Sequence, residues 1–221
     1  MTLISRFSKV YGSSRLLRGL LFGVIAAPVG YLLGHWLASL PTLGDWKPDW
    51  SDLLAVTVGL LMVGMGVGIL IVSANRKALG RQLDPERGVP ATPAQTIYYV
   101  QNAVVLLLAG VMIVTPVAVR AAFDGPPVII ASIAMTGLIA LFLLQSAVNL
   151  SVWMRSDELV RRAMVEIAAL AFMILQAALF LWAAGQKLGL LPVLTLWDAT
   201  PVMMAVYLLI SFVVAWRRGL T

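Results

Sequence analysis

The chain predicts an all-α, polytopic membrane fold, and three observations lead there. Hydrophobic residues fill 61% of the 221 positions and charged residues only 12%, with a mean hydropathy of +0.94; a soluble domain carries roughly a quarter charged residues. The apolar residues fall in blocks of about 20, the length a helix needs to cross roughly 30 Å of hydrocarbon. None of these blocks alternates, as the roughly 10-residue strands of a membrane barrel must.

Six spans follow, at about 19–39, 53–74, 93–119, 128–150, 163–184 and 198–216, arranged as three hairpins in one transmembrane domain covering 1–221. The first 15 residues place Ile4, Phe7 and Tyr11 opposite Arg6 and Lys9, the pattern of a short helix on the membrane surface. The first span is too long for the apolar part of a signal peptide and is read as retained. It carries Gly19, Gly23, Gly30 and Gly34 in pairs four apart, and the second span carries Gly64 and Gly68. Small residues at this spacing let helix backbones approach where no hydrophobic effect drives association. These two spans are therefore expected to pack tightly, or one of them to form an oligomer contact.

Trp46 and Trp50 belong at headgroup depth, and Ser51 or Asp52 is the expected cap of the second span. Residues 75–97 read as the longest polar connection. Within it, Thr92-Pro93-Ala94-Gln95 has the spacing of a capping box with proline at the first helical position. The third span therefore starts near Pro93, and Pro116 is expected to bend its far end. Ser156 is the expected cap of the fifth span, with Asp157 and Glu158 in its first turn.

Orientation follows from the basic residues. Arg6, Lys9, Arg15 and Arg18 lie in the N-terminal tail, and Arg76, Lys77, Arg81 and Arg87 in the second connection. Arg155, Arg161 and Arg162 lie in the fourth, and Arg217 and Arg218 at the C-terminal end. Only Lys47, Arg120 and Lys187 fall on the opposite side, so 13 of the 16 basic residues share one face of the membrane. Positive loops stay inside, which puts both termini in the cytoplasm of a bacterial inner membrane. The net charge of +6 is topological by this reading and implies no nucleic-acid partner.

The chemistry-bearing residues are few. The chain has no cysteine and one histidine, His35, which sits at interfacial depth beside Trp36. No thiolate site or histidine cluster can be built, no nucleotide or hydrolase motif is present, and no catalytic, cofactor-binding or metal residue is assigned. Gln101, Asn102, Gln145, Asn149 and Glu166 all fall in the cytoplasmic third of the bilayer by position. Polar groups in apolar surroundings seek partners, so these five form a candidate polar cluster, with Glu166 as its titrating member. The simpler expectation is that Glu166 pairs with Arg162 one turn before it, while the amides hold helices together. Gln176, near mid-span, is expected to make an interhelical bond.

Asp157-Glu158-x-x-Arg161 followed by Glu166-x-x-Ala169-x-Ala171-Phe172 resembles a turn in a group of small bacterial inner-membrane proteins of uncharacterised activity. The resemblance covers roughly residues 98–218, with the Trp197 turn and the Arg217-Arg218 tail, and leaves the first hairpin as an addition. It implies a four-span core in the inner membrane and carries no activity with it.

The function expected from these residues is that of a non-enzymatic scaffold or accessory subunit acting through helix association. Membrane lipid, and a second copy or another membrane protein, are its expected partners. The alternative is a small-solute or ion/proton transporter using the cytoplasmic-side cluster.

Overall fold

The computed structural model describes residues 48–84, 88–123 and 126–218. Every regular element among them is helical: α1 (Trp50–Ser73), α2 (Arg76–Leu83), α3 (Pro93–Ala122), α4 (Val128–Arg155), α5 (Glu158–Lys187) and α6 (Leu196–Arg217). All except α2 are long and apolar enough to cross a membrane, so this is a multi-pass helical membrane protein. The expected span at 19–39, with Gly19, Gly23, Gly30, Gly34 and His35, lies outside the described residues.

Helix limits follow from local chemistry. At Thr92 the capping box forms as the sequence predicts: its hydroxyl accepts from the Gln95 amide (3.2 Å), and the Gln95 side chain accepts from the Thr92 amide (2.9 Å). Thr195 and Asp198 repeat the device at the start of α6. Two expected caps are displaced. The N-cap of α1 is Asp49, with Asp52 accepting from the Asp49 amide at 3.4 Å. The N-cap of α5 is Asp157, which accepts from Val160 N at 2.8 Å; Ser156 instead closes α4 by donating to the Val152 carbonyl. In both places several capping residue types stand together, and the tertiary path selects among them. Pro116 sits inside α3, which continues as helix to Ala122.

The polar connection after α1 is more ordered than its composition suggests. Asn75 caps α2 by accepting from Lys77 N and Ala78 N. Leu79 is buried, and the chain returns along the helix so that Arg76 binds Ala91 twice. The Arg76 guanidinium donates to the Ala91 carbonyl, and the Ala91 amide donates to the Arg76 carbonyl, both at 2.8 Å. A helix this short and polar gives too few periods for a sequence pattern to reveal it.

Packing runs α4–α3–α1–α6–α5 in space. The closest approach is between α1 and α3. A Cβ at Gly110 would stand 2.6 Å from the Gly59 carbonyl, and one at Gly66 2.9 Å from the Ala103 carbonyl. Ala55, Val58, Met62, Ala103, Ile113 and Val117 fill the core along this crossing. Between helices in lipid, association rests on such van der Waals contact. The tight residues are Gly59, Gly66 and Gly110; Gly64 and Gly68 face a side of α1 where a Cβ would meet nothing within 4 Å among the described residues.

Candidate functional site

The arginine-rich end of the bundle holds the groups singled out in the sequence. The α4–α5 turn is shaped by Arg161, which reaches back over it. Its Nε donates to the Trp153 carbonyl (3.1 Å), which also accepts from the Ser156 amide (3.3 Å), and its Nη2 satisfies the Met154 carbonyl (3.0 Å) at the end of α4. Arg162 pairs with Glu158 at 2.9 Å on an exposed face. Such a surface pair adds little.

Glu166 is thereby left for other partners. One turn further along α5, its carboxylate meets the C-terminal end of α6. Arg217 Nη2 binds Oε1 at 2.6 Å, and Arg218 binds Oε2 through both Nε (2.8 Å) and Nη2. The expectation that Glu166 pairs with Arg162 is therefore corrected: Glu158 occupies Arg162, and Glu166 closes α5 onto α6. The carboxylate and Arg218 are mostly covered, with side chains 21% and 26% exposed, whereas Arg217 is 67% exposed. Cations at a helix C-terminus also complement its negative end, so the arrangement is favourable for α6 twice over.

The other members of the expected cluster lie elsewhere. Gln101 on α3 donates to the Ser151 hydroxyl on α4 (2.9 Å), and Gln145 on α4 donates to the Val105 carbonyl on α3 at the long distance of 3.5 Å. Asn102 bonds within its own helix, to the Tyr98 carbonyl. Asn149 is exposed. The structure thus brings Gln101 and Gln145 to one α3–α4 seam and puts Glu166 on a different helix pair. Gln101 retains a buried Oε1 without a partner among the described residues.

A second polar centre lies at the opposite end. Asp52, only 3% exposed, accepts from the Trp197 indole at 2.8 Å, tying the starts of α1 and α6. Beside it, Arg120 at the end of α3 stands 3.8 Å from Asp49. An open hollow of about 360 Å³ is lined by Asp49, Ser51, Arg120, Thr195, Trp197 and Asp198 among others. The Ser51 side chain lies next to Asp198, though its hydroxyl is outside hydrogen-bonding geometry. This centre was not anticipated as a site. A signal did exist: Asp52, Arg120 and Trp197 all belong to the poorly basic face, and each opens or closes a span.

Chemically, the arginine-rich end is a structural ion-pair lock, and the opposite end is an open hollow lined by two carboxylates, one guanidinium and two indoles. Among the described residues no group of three histidine, aspartate or glutamate side chains converges as metal ligands would. No protein-family model, curated protein or solved structure matches this chain.

Proposed function

We propose that this is a bacterial inner-membrane protein with both termini in the cytoplasm. In this reading it works without catalysis, as a scaffold or accessory subunit associating through its helices. One observation carries the reading: the titratable carboxylate placed within the apolar helices, Glu166, is held by Arg217 and Arg218 from α6. A group so engaged closes a bundle; a carrier carboxylate must release its counter-charge to bind a solute or proton. The amides of Gln101 and Gln145 are likewise engaged between α3 and α4.

The alternative reading, a small-solute or ion/proton transporter, draws support from the Gln101 Oε1, a buried acceptor without a partner among the described residues that a permeating species could use. Proton and cation flux into liposomes separates the two. The scaffold reading expects the wild-type protein and its Glu166→Gln variant to match empty liposomes. Flux that disappears in the variant overturns it in favour of transport.

A further inference from the structure

The connection between α1 and α3 carries positive charge that this chain does not balance. Helix α2 begins three residues after α1 ends and places Arg76, Lys77 and Arg81 within eight residues. It packs on α1, buries Leu79 and is about 12 Å long. The two bonds between Arg76 and Ala91 fold the returning segment onto it, and there is no room for a Cβ between Gly80 and the Val89 carbonyl. Closed in this way against the end of a span, α2 keeps Lys77 and Arg81 within side-chain reach of lipid headgroups.

Lys77 and Arg81 stand one helical turn apart on the exposed side of α2. Like charges at this spacing oppose helix formation, and neither residue has an ion pair among the described residues. The acids of the chain are placed elsewhere or outnumbered. Residues 1–44 contain none, so a span of this chain laid along α2 would bring no carboxylate to it. Asp49, Asp52 and Asp198 belong to the opposite end of the bundle, and Asp45 and Asp124 are joined to that end by the chain. Asp157 caps α5, Glu158 holds Arg162, and Glu166 holds Arg217 and Arg218. Asp84 and Glu86 then stand against four basic residues of this connection, Arg76, Lys77, Arg81 and Arg87. The excess is left for an anion from outside the chain.

We propose that Lys77 and Arg81 form a binding site for an anionic phospholipid, with one headgroup phosphate bridging the two side chains across a turn of α2. The Arg81 guanidinium offers a planar fork that matches phosphate oxygens, and the Lys77 ammonium adds a second charge on the same group. Basic residues directly after a span attract anionic headgroups. The depth of α2 favours lipid over a soluble acidic partner, because headgroups surround this level at all times. The site goes beyond the association reading and stands whether the protein is a scaffold or a transporter.

The test uses the full chain purified in nonionic detergent and titrated with phosphatidylglycerol or phosphatidylcholine, with bound lipid counted by native mass spectrometry. Phosphatidylglycerol is expected to bind with the higher association constant. Lys77→Gln and Arg81→Gln should each lower that constant about fivefold, which corresponds to about 1 kcal/mol per basic residue. Arg120→Gln combined with Lys187→Gln removes the same charge from the opposite end and should leave it unchanged. The wild-type preference needs no variant, and equal binding of the two lipids overturns the proposal by itself. Full affinity in the Lys77→Gln, Arg81→Gln double variant, or an equal loss in the Arg120, Lys187 pair, would overturn it as well. Displacement of the lipid by equimolar inorganic phosphate or a short oligonucleotide would replace the lipid with a soluble anion or a nucleic acid as the ligand.

Discussion

The indole Nε1 of Trp197 donates to Asp52 Oδ1 at 2.8 Å across 145 positions of sequence, joining the first turns of α1 and α6. Asp52 is almost fully covered, and the bond satisfies one oxygen of a buried carboxylate whose other oxygen accepts from the Asp49 amide at the longer distance of 3.4 Å. Hydrogen bonds to charged groups contribute about 1.5–3 kcal/mol in water-soluble proteins, and interhelical bonds in membranes average less, about 0.6. Trp197→Phe keeps the ring and removes the donor. It should lower unfolding stability in detergent by about 1–2 kcal/mol. A double-mutant cycle with Asp52→Ala should return a coupling of the same sign; purely additive losses would show that the pair is incidental.

Gly59 and Gly110 form the closest point of the α1–α3 crossing, where a side chain on either would strike the other helix. Gly59→Leu or Gly110→Leu should drive the helices apart and cost about 1–3 kcal/mol, the usual range for overpacking. Gly64→Ala and Gly68→Ala meet open space among the described residues. Each should be neutral or stabilising by up to about 1 kcal/mol, since alanine is the better helix former. Thermal melts of the four variants in one detergent would test the contrast, and equal losses in all four would refute it.

The contrast marks what the sequence could carry. Five of the spans were legible because apolar length and charge asymmetry are one-dimensional properties. The capping box at Thr92 was legible because its partners are three residues apart. The face of α1 that meets α3 was not, since Gly59, Gly64, Gly66 and Gly68 all satisfy a small-residue pattern and only the position of α3 brings Gly59 and Gly66 against it. The partner of Glu166 was missed for a related reason. Arg162 is a local candidate at the right spacing, but Glu158 competes for it, and the arginines that win lie 51 and 52 positions away. Where a span begins was readable; azimuth around it was not.

Glu166→Gln should destabilise the α5–α6 contact, and the two arginines should not contribute equally. Arg218 is mostly covered and binds through two nitrogens, whereas Arg217 is largely exposed. Arg218→Ala should therefore lower the melting temperature more than Arg217→Ala. Raising salt from 0.05 to about 0.5 M should erase the Arg217 contribution first, because screening acts on exposed charges. Equal, salt-insensitive losses would show that the two pairs share one environment.

Arg161 makes the sharpest test of the α4–α5 turn, because one side chain donates to two carbonyls that end α4. Arg161→Ala leaves the Met154 carbonyl to water and the Trp153 carbonyl to the Ser156 amide alone, and should cost about 1–2 kcal/mol. Arg161→Lys keeps the charge but lacks the planar fork that reaches both acceptors at once, so it should recover less than half of that loss. Charge alone would serve if the interaction were only with the helix dipole, and lysine would then restore full stability. The pattern of loss across alanine and lysine, read from unfolding in detergent at two salt concentrations, therefore separates hydrogen bonding from simple electrostatics at this turn. Salt should leave the arginine–alanine difference nearly unchanged if directional bonds to the carbonyls are its source.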